Sequence, residues 1–141
     1  MQHESWANRA SSFLLRSSLA IIFLWFGLLK LTGLCPLAGF VCRTLPFLRP
    51  EDCLLLLGGW ELAVGICLVM PRLRPFGLVL LLVHLVGTPL PFILLPDDCF
   101  VHFPYALTLE GQYIVKNLTL ASAALLLLAQ QLQRPAASTH C

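Results

Sequence analysis

Charged residues are scarce in this chain. Aspartate, glutamate, lysine and arginine together make up 11% of it, against about a quarter in soluble globular proteins, which excludes a water-soluble domain of ordinary composition. The net charge is only +2, and the basic residues neither cluster nor interleave with exposed aromatics, so a nucleic-acid partner is excluded as well. The six cysteines include no CxxC pair, which removes a thioredoxin-like centre and a thiolate metal site. Of the four histidines, only His84 falls in an apolar run. With His3, His102 and His140 in loops or tails, no bis-histidine haem or metal spacing exists, and no metal site is expected. No glycine-rich loop sits in a strand-to-helix context that would cradle a phosphate. No repeat of about 20 to 50 residues is visible.

What is abundant is apolar surface. Hydrophobic residues make up 58% of the chain and the mean hydropathy is +0.84. At about 20 residues per crossing, 141 residues form one membrane domain, residues 1–141, with four short-looped helices. The pattern predicts spans over 13–34, 53–70, 76–95 and 109–131. The polar lead-in at 1–16 followed by an apolar run resembles a secretory leader. Residues 17–34 contain Lys30 and no small-x-small cleavage site, so the segment is read as a retained first helix. The first outer loop, 35–52, holds three prolines and mixed charge, with room for one short interfacial helix. PRLRP at 71–75 is a tight turn. Pro89, Pro91 and Pro96 break the far end of the third span and free backbone carbonyls there. The second outer loop, 96–108, starts acidic and turns aromatic, as suits a membrane interface. Thr108 is placed to cap the fourth helix, with Glu110 in its first turn.

Orientation follows from the arginines. Arg9, Arg16, Arg72, Arg74 and Arg134 share one side with a single acid, Glu4. Arg43 and Arg49 stand on the other side among Glu51, Asp52, Asp97, Asp98 and Glu110. The positive-inside rule then puts both termini in the cytoplasm. The expected fold class is all-α, an integral membrane antiparallel four-helix bundle.

Polar residues inside the spans carry the functional question. Glu61 lies about two turns in from the outer end of the second helix and Lys30 about one turn in from the outer end of the first, so they can meet. His84 falls near mid-membrane on the third helix, with Thr88 on the same face four residues on. Lys116 and Asn117 occupy the first turns of the fourth helix. One outer-half patch gathers Lys30, Glu61, His84, Thr88, Lys116 and Asn117. An unpaired charge at that depth costs roughly 2.5 to 3.5 kcal/mol on insertion scales, so pairing is required. Two readings fit. In one, Lys30 and Glu61 form a structural ion pair while Lys116 snorkels to the interface. In the other, the patch lines a cavity for the headgroup of a lipid-soluble molecule such as a quinone, with His84 or Glu61 exchanging protons. No motif names a catalytic residue.

Cys35, Cys42, Cys53 and Cys99 all fall at the outer face, where disulfides are permitted. Three pairings are open to them. Cys35 with Cys42 and Cys53 with Cys99 is the expected set, while Cys67 in the second helix and Cys141 in the tail have no evident partner. Gly58, Gly59, Ala63 and Gly65, with Ala121 and Ala124 on the fourth helix, are small residues that let helices approach closely. Asn117-Leu-Thr matches the glycosylation triplet but lies inside a span.

An arginine before the first helix, then FLWFGLLKLTG at 23–33, GGWELAVGICLV at 58–69 and LTLEGQYIVKNLTLASAAL at 107–125, resembles the DoxX-like superfamily of small four-helix membrane proteins, in its YkgB and RclC branch. The resemblance spans roughly residues 13–130. It implies a four-helix bundle in the bacterial inner membrane, with Lys30, Glu61, Lys116 and Asn117 at the family's polar positions. DoxX takes its name from a component associated with thiosulfate:quinone oxidoreductase, and the RclC branch is linked to resistance against reactive chlorine. The cysteine-rich stretch CPLAGFVC departs from the pattern. A likeness to vitamin K epoxide reductase stops at the missing CxxC. The first expectation is an accessory subunit in the lipid bilayer, packed against a larger electron-transfer complex or a second copy of itself. The second is a quinone-linked oxidoreductase subunit with a headgroup site near Glu61, His84 and Lys30. The third is a small stress-defence or transport protein. No bound cofactor is called for; a quinone or a lipid is the candidate ligand.

Overall fold

Helix α1 spans Trp6–Leu31, starting well before residue 13. The lead-in Asn8-Arg9-Ala10-Ser11-Ser12 holds no proline or glycine, so nothing stops a helix from running past the hydrocarbon boundary. The computed structural model describes residues 6–133; His3, Glu4, Arg134, His140 and Cys141 lie outside the described residues. The far end of α1 stops at Gly33, whose φ of 73° is left-handed. There the Leu34 N–H donates to the Leu29 carbonyl and the Gly33 N–H to that of Lys30, a closure that favours glycine.

The first loop carries a short helix, α2, Ala38–Arg43. Helix α3, Pro50–Val69, begins on a proline, which loses nothing at a first helical position. Reading that proline as part of the loop placed the start three residues late. Helix α4, Arg74–Gly87, gives way at Thr88. Pro89 and Pro91 restart the chain as α5, Pro91–Leu94, and α6 follows at Pro96–Cys99. A two-stranded antiparallel hairpin, β1 Phe100–His102 with β2 Ala106–Leu107, stands where a plain interfacial loop is expected. Its strands are too short to show a period of two. Helix α7 runs over Leu109–Gln133. As expected, Thr108 caps it. The Gly111 N–H donates to the Thr108 hydroxyl at 3.1 Å, and that hydroxyl donates to the Asp98 carbonyl at 2.6 Å.

Among the described residues, four helices are long and apolar enough to cross a membrane: Trp6–Leu31, Pro50–Val69, Arg74–Leu94 and Leu109–Gln133. Many of their large side chains face outward, among them Ile21, Trp25, Leu56 and Ile66, which is compatible with a lipid environment. Helix α1 lies along α3, α3 packs on α4, and α4 packs on α7, while α7 meets α1 over a thinner contact. The buried core joins all four through Leu19, Phe23, Val64, Leu68, Leu78, Leu81, Leu85, Ala124 and Leu127.

The approach of α1 to α3 depends on absent side chains. A Cβ on Gly27 would stand 2.9 Å from the Gly58 carbonyl oxygen, and one on Gly65 would stand 2.6 Å from Leu24 Cγ. Gly58 and Gly65 therefore serve this interface, whereas Gly59 meets nothing within 4 Å. Trp60 adds a tie from α3 to α4, its indole N–H donating to the Leu80 carbonyl at 3.3 Å.

Candidate polar site between the helices

Phe23, Gly27 and Lys30 are spaced four and three residues apart, so they share one face of α1. That face meets Gly58 and Glu61, which share a face of α3. A Cβ at Gly58 would come within 3.0 Å of Lys30 Cβ, so the missing side chain makes room for the lysine stem. The stem then turns toward the next residue on the same face, and Lys30 Nζ donates to Glu61 Oε2 at 2.6 Å. Both residues are buried, at 9% and 6% exposure.

His84, in the last turn of α4, brings Nε2 to 3.4 Å from Glu61 Oε1. One carboxylate oxygen therefore faces the lysine and the other the histidine. The Phe23 ring meets His84 edge-on, with centroids 5.8 Å apart and planes at 85°. Lys30 Nζ lies 5.9 Å from the centroid of Phe26, within cation–π range.

A cavity of about 90 Å³ opens beside this group, lined by Ile22, Phe23, Phe26, Glu61, His84, Leu85, Asn117 and Leu120. It is smaller than the roughly 300 to 1,000 Å³ of drug-sized sites and larger than a single water requires. Among the described residues, the Asn117 side chain makes no hydrogen bond and lines this cavity. The wall between α1 and α7 is the thin one. At its far end the Ser12 hydroxyl donates to Gln130 Oε1 at 2.8 Å, while nearer the cavity Phe26 is partly exposed.

Two of the six polar residues expected in the patch stand apart. Lys116 is exposed and lies 5.5 Å from the Tyr113 ring centroid. Successive helical positions are about 100° apart, so a helix that turns Asn117 inward turns Lys116 outward. Thr88 donates its hydroxyl to the Leu85 carbonyl at 2.8 Å, closing the end of α4 where the ladder stops. Sequence reasoning passed over Phe23, Phe26 and Gly27. The FxxxGxxK spacing of Phe23, Gly27 and Lys30 was the available signal for two of them.

The cysteines differ from expectation. Cys35, Cys42, Cys53, Cys67 and Cys99 are all free thiols, so neither the Cys35–Cys42 nor the Cys53–Cys99 bridge is formed. Cys42, at the end of α2, turns toward α3. Its thiol donates to the Pro50 carbonyl at 3.5 Å, and its side chain lies near that of Cys53. Cys99 is enclosed beneath the start of α7, where its carbonyl accepts from the Thr108 N–H at 3.0 Å. Burial pushes the Cys99 thiol pKa up, and the neighbouring Asp98 and Glu110 charges add to the shift. An ion pair, Arg43 to Asp98 at 2.9 Å, joins α2 to α6. Among the described residues no group of three His, Cys, Asp or Glu side chains is arranged to hold a metal ion.

Comparison with known protein families, with curated proteins and with solved structures finds no match to this chain.

Proposed function

We propose that the chain is a DoxX-like membrane subunit whose polar centre seats the headgroup of a lipid-soluble molecule, a quinone being the class its side chains suit best. In this reading the four long helices form an antiparallel bundle with both termini in the cytoplasm of a bacterial inner membrane. The observation that carries the reading is the unspent amide of Asn117, facing a cavity that Glu61 and His84 also line, with Lys30 paired to Glu61. The Asn117 side chain is half-buried, and its amide is placed to hydrogen-bond a bound carbonyl or hydroxyl.

The residues fit such a headgroup at its edge. The Asn117 amide and the His84 ring supply hydrogen bonds to a carbonyl or hydroxyl oxygen, Phe23 and Phe26 supply flat apolar walls, and the small volume leaves an isoprenoid tail in the lipid along the α1–α7 seam. A bound quinone supplies the two-electron chemistry. The chain's part is to hold the ring edge, to keep Lys30 as the counter-charge to Glu61, and to hold or release a proton at Glu61 or His84. Exposed aromatics beyond the spans, Phe47, Phe103 and Tyr105, suit contact with a larger electron-transfer complex, and co-purification of such a partner in mild detergent tests that part.

The test is photolabelling with an azido-quinone in reconstituted bilayers. Label is expected on peptides holding Phe26 and Asn117, and Asn117→Ala should weaken binding up to about tenfold, the equivalent of one hydrogen bond. Label distributed at random, or equal affinity in the variant, refutes the site.

A further inference from the structure

Cys42 and Cys53 meet at the corner where α2 turns into α3. The Cys42 thiol reaches the Pro50 carbonyl at 3.5 Å, one turn before Cys53 on the same helix, and the two side chains are near enough to influence one another. The two thiols differ in access. Cys53 is 0% exposed, while Cys42, at 9% exposure, lines an open cavity of about 560 Å³ whose other walls include Ala38, Gly39, Arg43, Pro46 and Leu48. That volume falls in the range of small-molecule sites, roughly 300 to 1,000 Å³. The arrangement is a thiol at the cavity wall with a shielded one beside it, and access is among the factors that govern thiol–disulfide exchange. Cys35, Cys67 and Cys99 do not line this cavity.

We propose that Cys42 and Cys53 form a redox-active dithiol that reduces a low-molecular-weight disulfide entering the cavity beside Cys42. The Cys42 thiol gives its proton to water, and its sulfur attacks one sulfur of the incoming disulfide. That S–S bond breaks, and the first departing thiolate takes up a proton. Cys42 now carries the other half of the molecule as a mixed disulfide. Cys53 then loses its proton and attacks the Cys42 sulfur, and the second half departs and is protonated. Two protein thiols and one small disulfide become one protein disulfide and two small thiols, a transfer of two electrons. The new bond would tie α2 to the first turn of α3 and so fix the position of Arg43, whose ion pair with Asp98 joins the two loops.

The experiment uses the full chain, reduced, in proteoliposomes, with oxidised glutathione as the probe. After incubation, remaining thiols are alkylated and the protein is digested without reductant for mass spectrometry. The expected result is a Cys42–Cys53 linked peptide with release of both glutathione halves. Cys53→Ser should stop at glutathione on Cys42, and Cys42→Ser should leave Cys53 unmodified. The wild-type map needs no variant to fold. A stable glutathione adduct on wild-type Cys42, a bridge from Cys35 to Cys42 or from Cys53 to Cys99, or no reaction at Cys42 would each overturn the proposal.

Discussion

Replacing Glu61 by glutamine should destabilise the protein by about 3 kcal/mol, and the size follows from the contact it removes. Lys30 Nζ and Glu61 Oε2 are 2.6 Å apart with both side chains under a tenth exposed. At an effective dielectric constant of about 20, two unit charges at that distance attract by about 6 kcal/mol. Much of this offsets the loss of hydration, so the net worth of the pair is small. The glutamine variant keeps the shape and removes one charge, leaving the ammonium enclosed. Removing one partner of a buried pair costs about 3 to 5 kcal/mol, and a lone charge in hydrocarbon costs roughly 2.5 to 3.5 kcal/mol on insertion scales. Because Lys30 lies near a helix end and can partly reach the headgroups, the lower figure applies. Lys30→Met should cost a similar amount by stranding the carboxylate. The double variant Lys30→Met with Glu61→Leu should return to within about 1 kcal/mol of the parent, since apolar replacement of a whole pair is often neutral. Reversible unfolding by steric trapping in bicelles gives all four corners of the cycle. Single losses below about 0.5 kcal/mol that add in the double variant would refute the reasoning, for they would mean that water already screens the pair.

Other consequences can be checked in the same preparation. Gly27→Val should lower stability by about 1 to 3 kcal/mol, the usual range for overpacking, because its Cβ meets the Gly58 carbonyl oxygen at 2.9 Å. Gly59→Ala, with nothing within 4 Å, should leave thermal stability unchanged, and equal effects at the two sites would count against the α1–α3 contact. Thr108→Val removes the cap of α7 and the bond to the Asp98 carbonyl, at about 1 to 2 kcal/mol; hydrogen exchange at the Gly111 amide reads it directly. For Cys99, whose thiol pKa is raised above its ordinary value of 9.0, the neutral form is favoured in the folded state. Its contribution is complete below pH 9.0 and is lost as pH climbs through the raised folded value, because only the unfolded thiol has then given up its proton. Stability should therefore fall as pH rises from 9.0 toward the raised folded value, and Cys99→Ser should flatten the slope.

The long elements were legible because apolar length is a coarse signal. Four runs could be counted, and Thr108 could be named as a cap from its type and place. Boundaries were less legible where a residue serves either state: Pro50 ends a loop or begins a helix with equal comfort, and the polar start of α1 reads as tail until the lack of any breaker is weighed. The hairpin at 100–107 was hidden by brevity. In the polar group, Lys30 and Glu61 could be matched by depth alone, since each needed a partner. Depth does not encode azimuth, however, and for that reason Lys116 was grouped with Asn117 although neighbouring positions on a helix face different ways. The cysteines show the same limit. Loop position suggested a local bridge from Cys35 to Cys42, but α2 turns Cys42 toward α3 instead, a rotation that no spacing within CPLAGFVC reports.

The bare backbone at Gly58 also bears on the order of events in biosynthesis. Lys30 belongs to a helix made before α3 and sits in its last turn, where in a bilayer its long stem could stay among the headgroups until a counter-charge comes. Glu61 belongs to the next long helix and sits near its middle, so it has no such refuge and needs a cation already waiting. The notch opposite Lys30 turns the arriving helix into a fitted dock for the one before it. Were α3 to enter a bilayer after α1, its insertion would be a paired act, and a side chain at position 58 would impair that pairing.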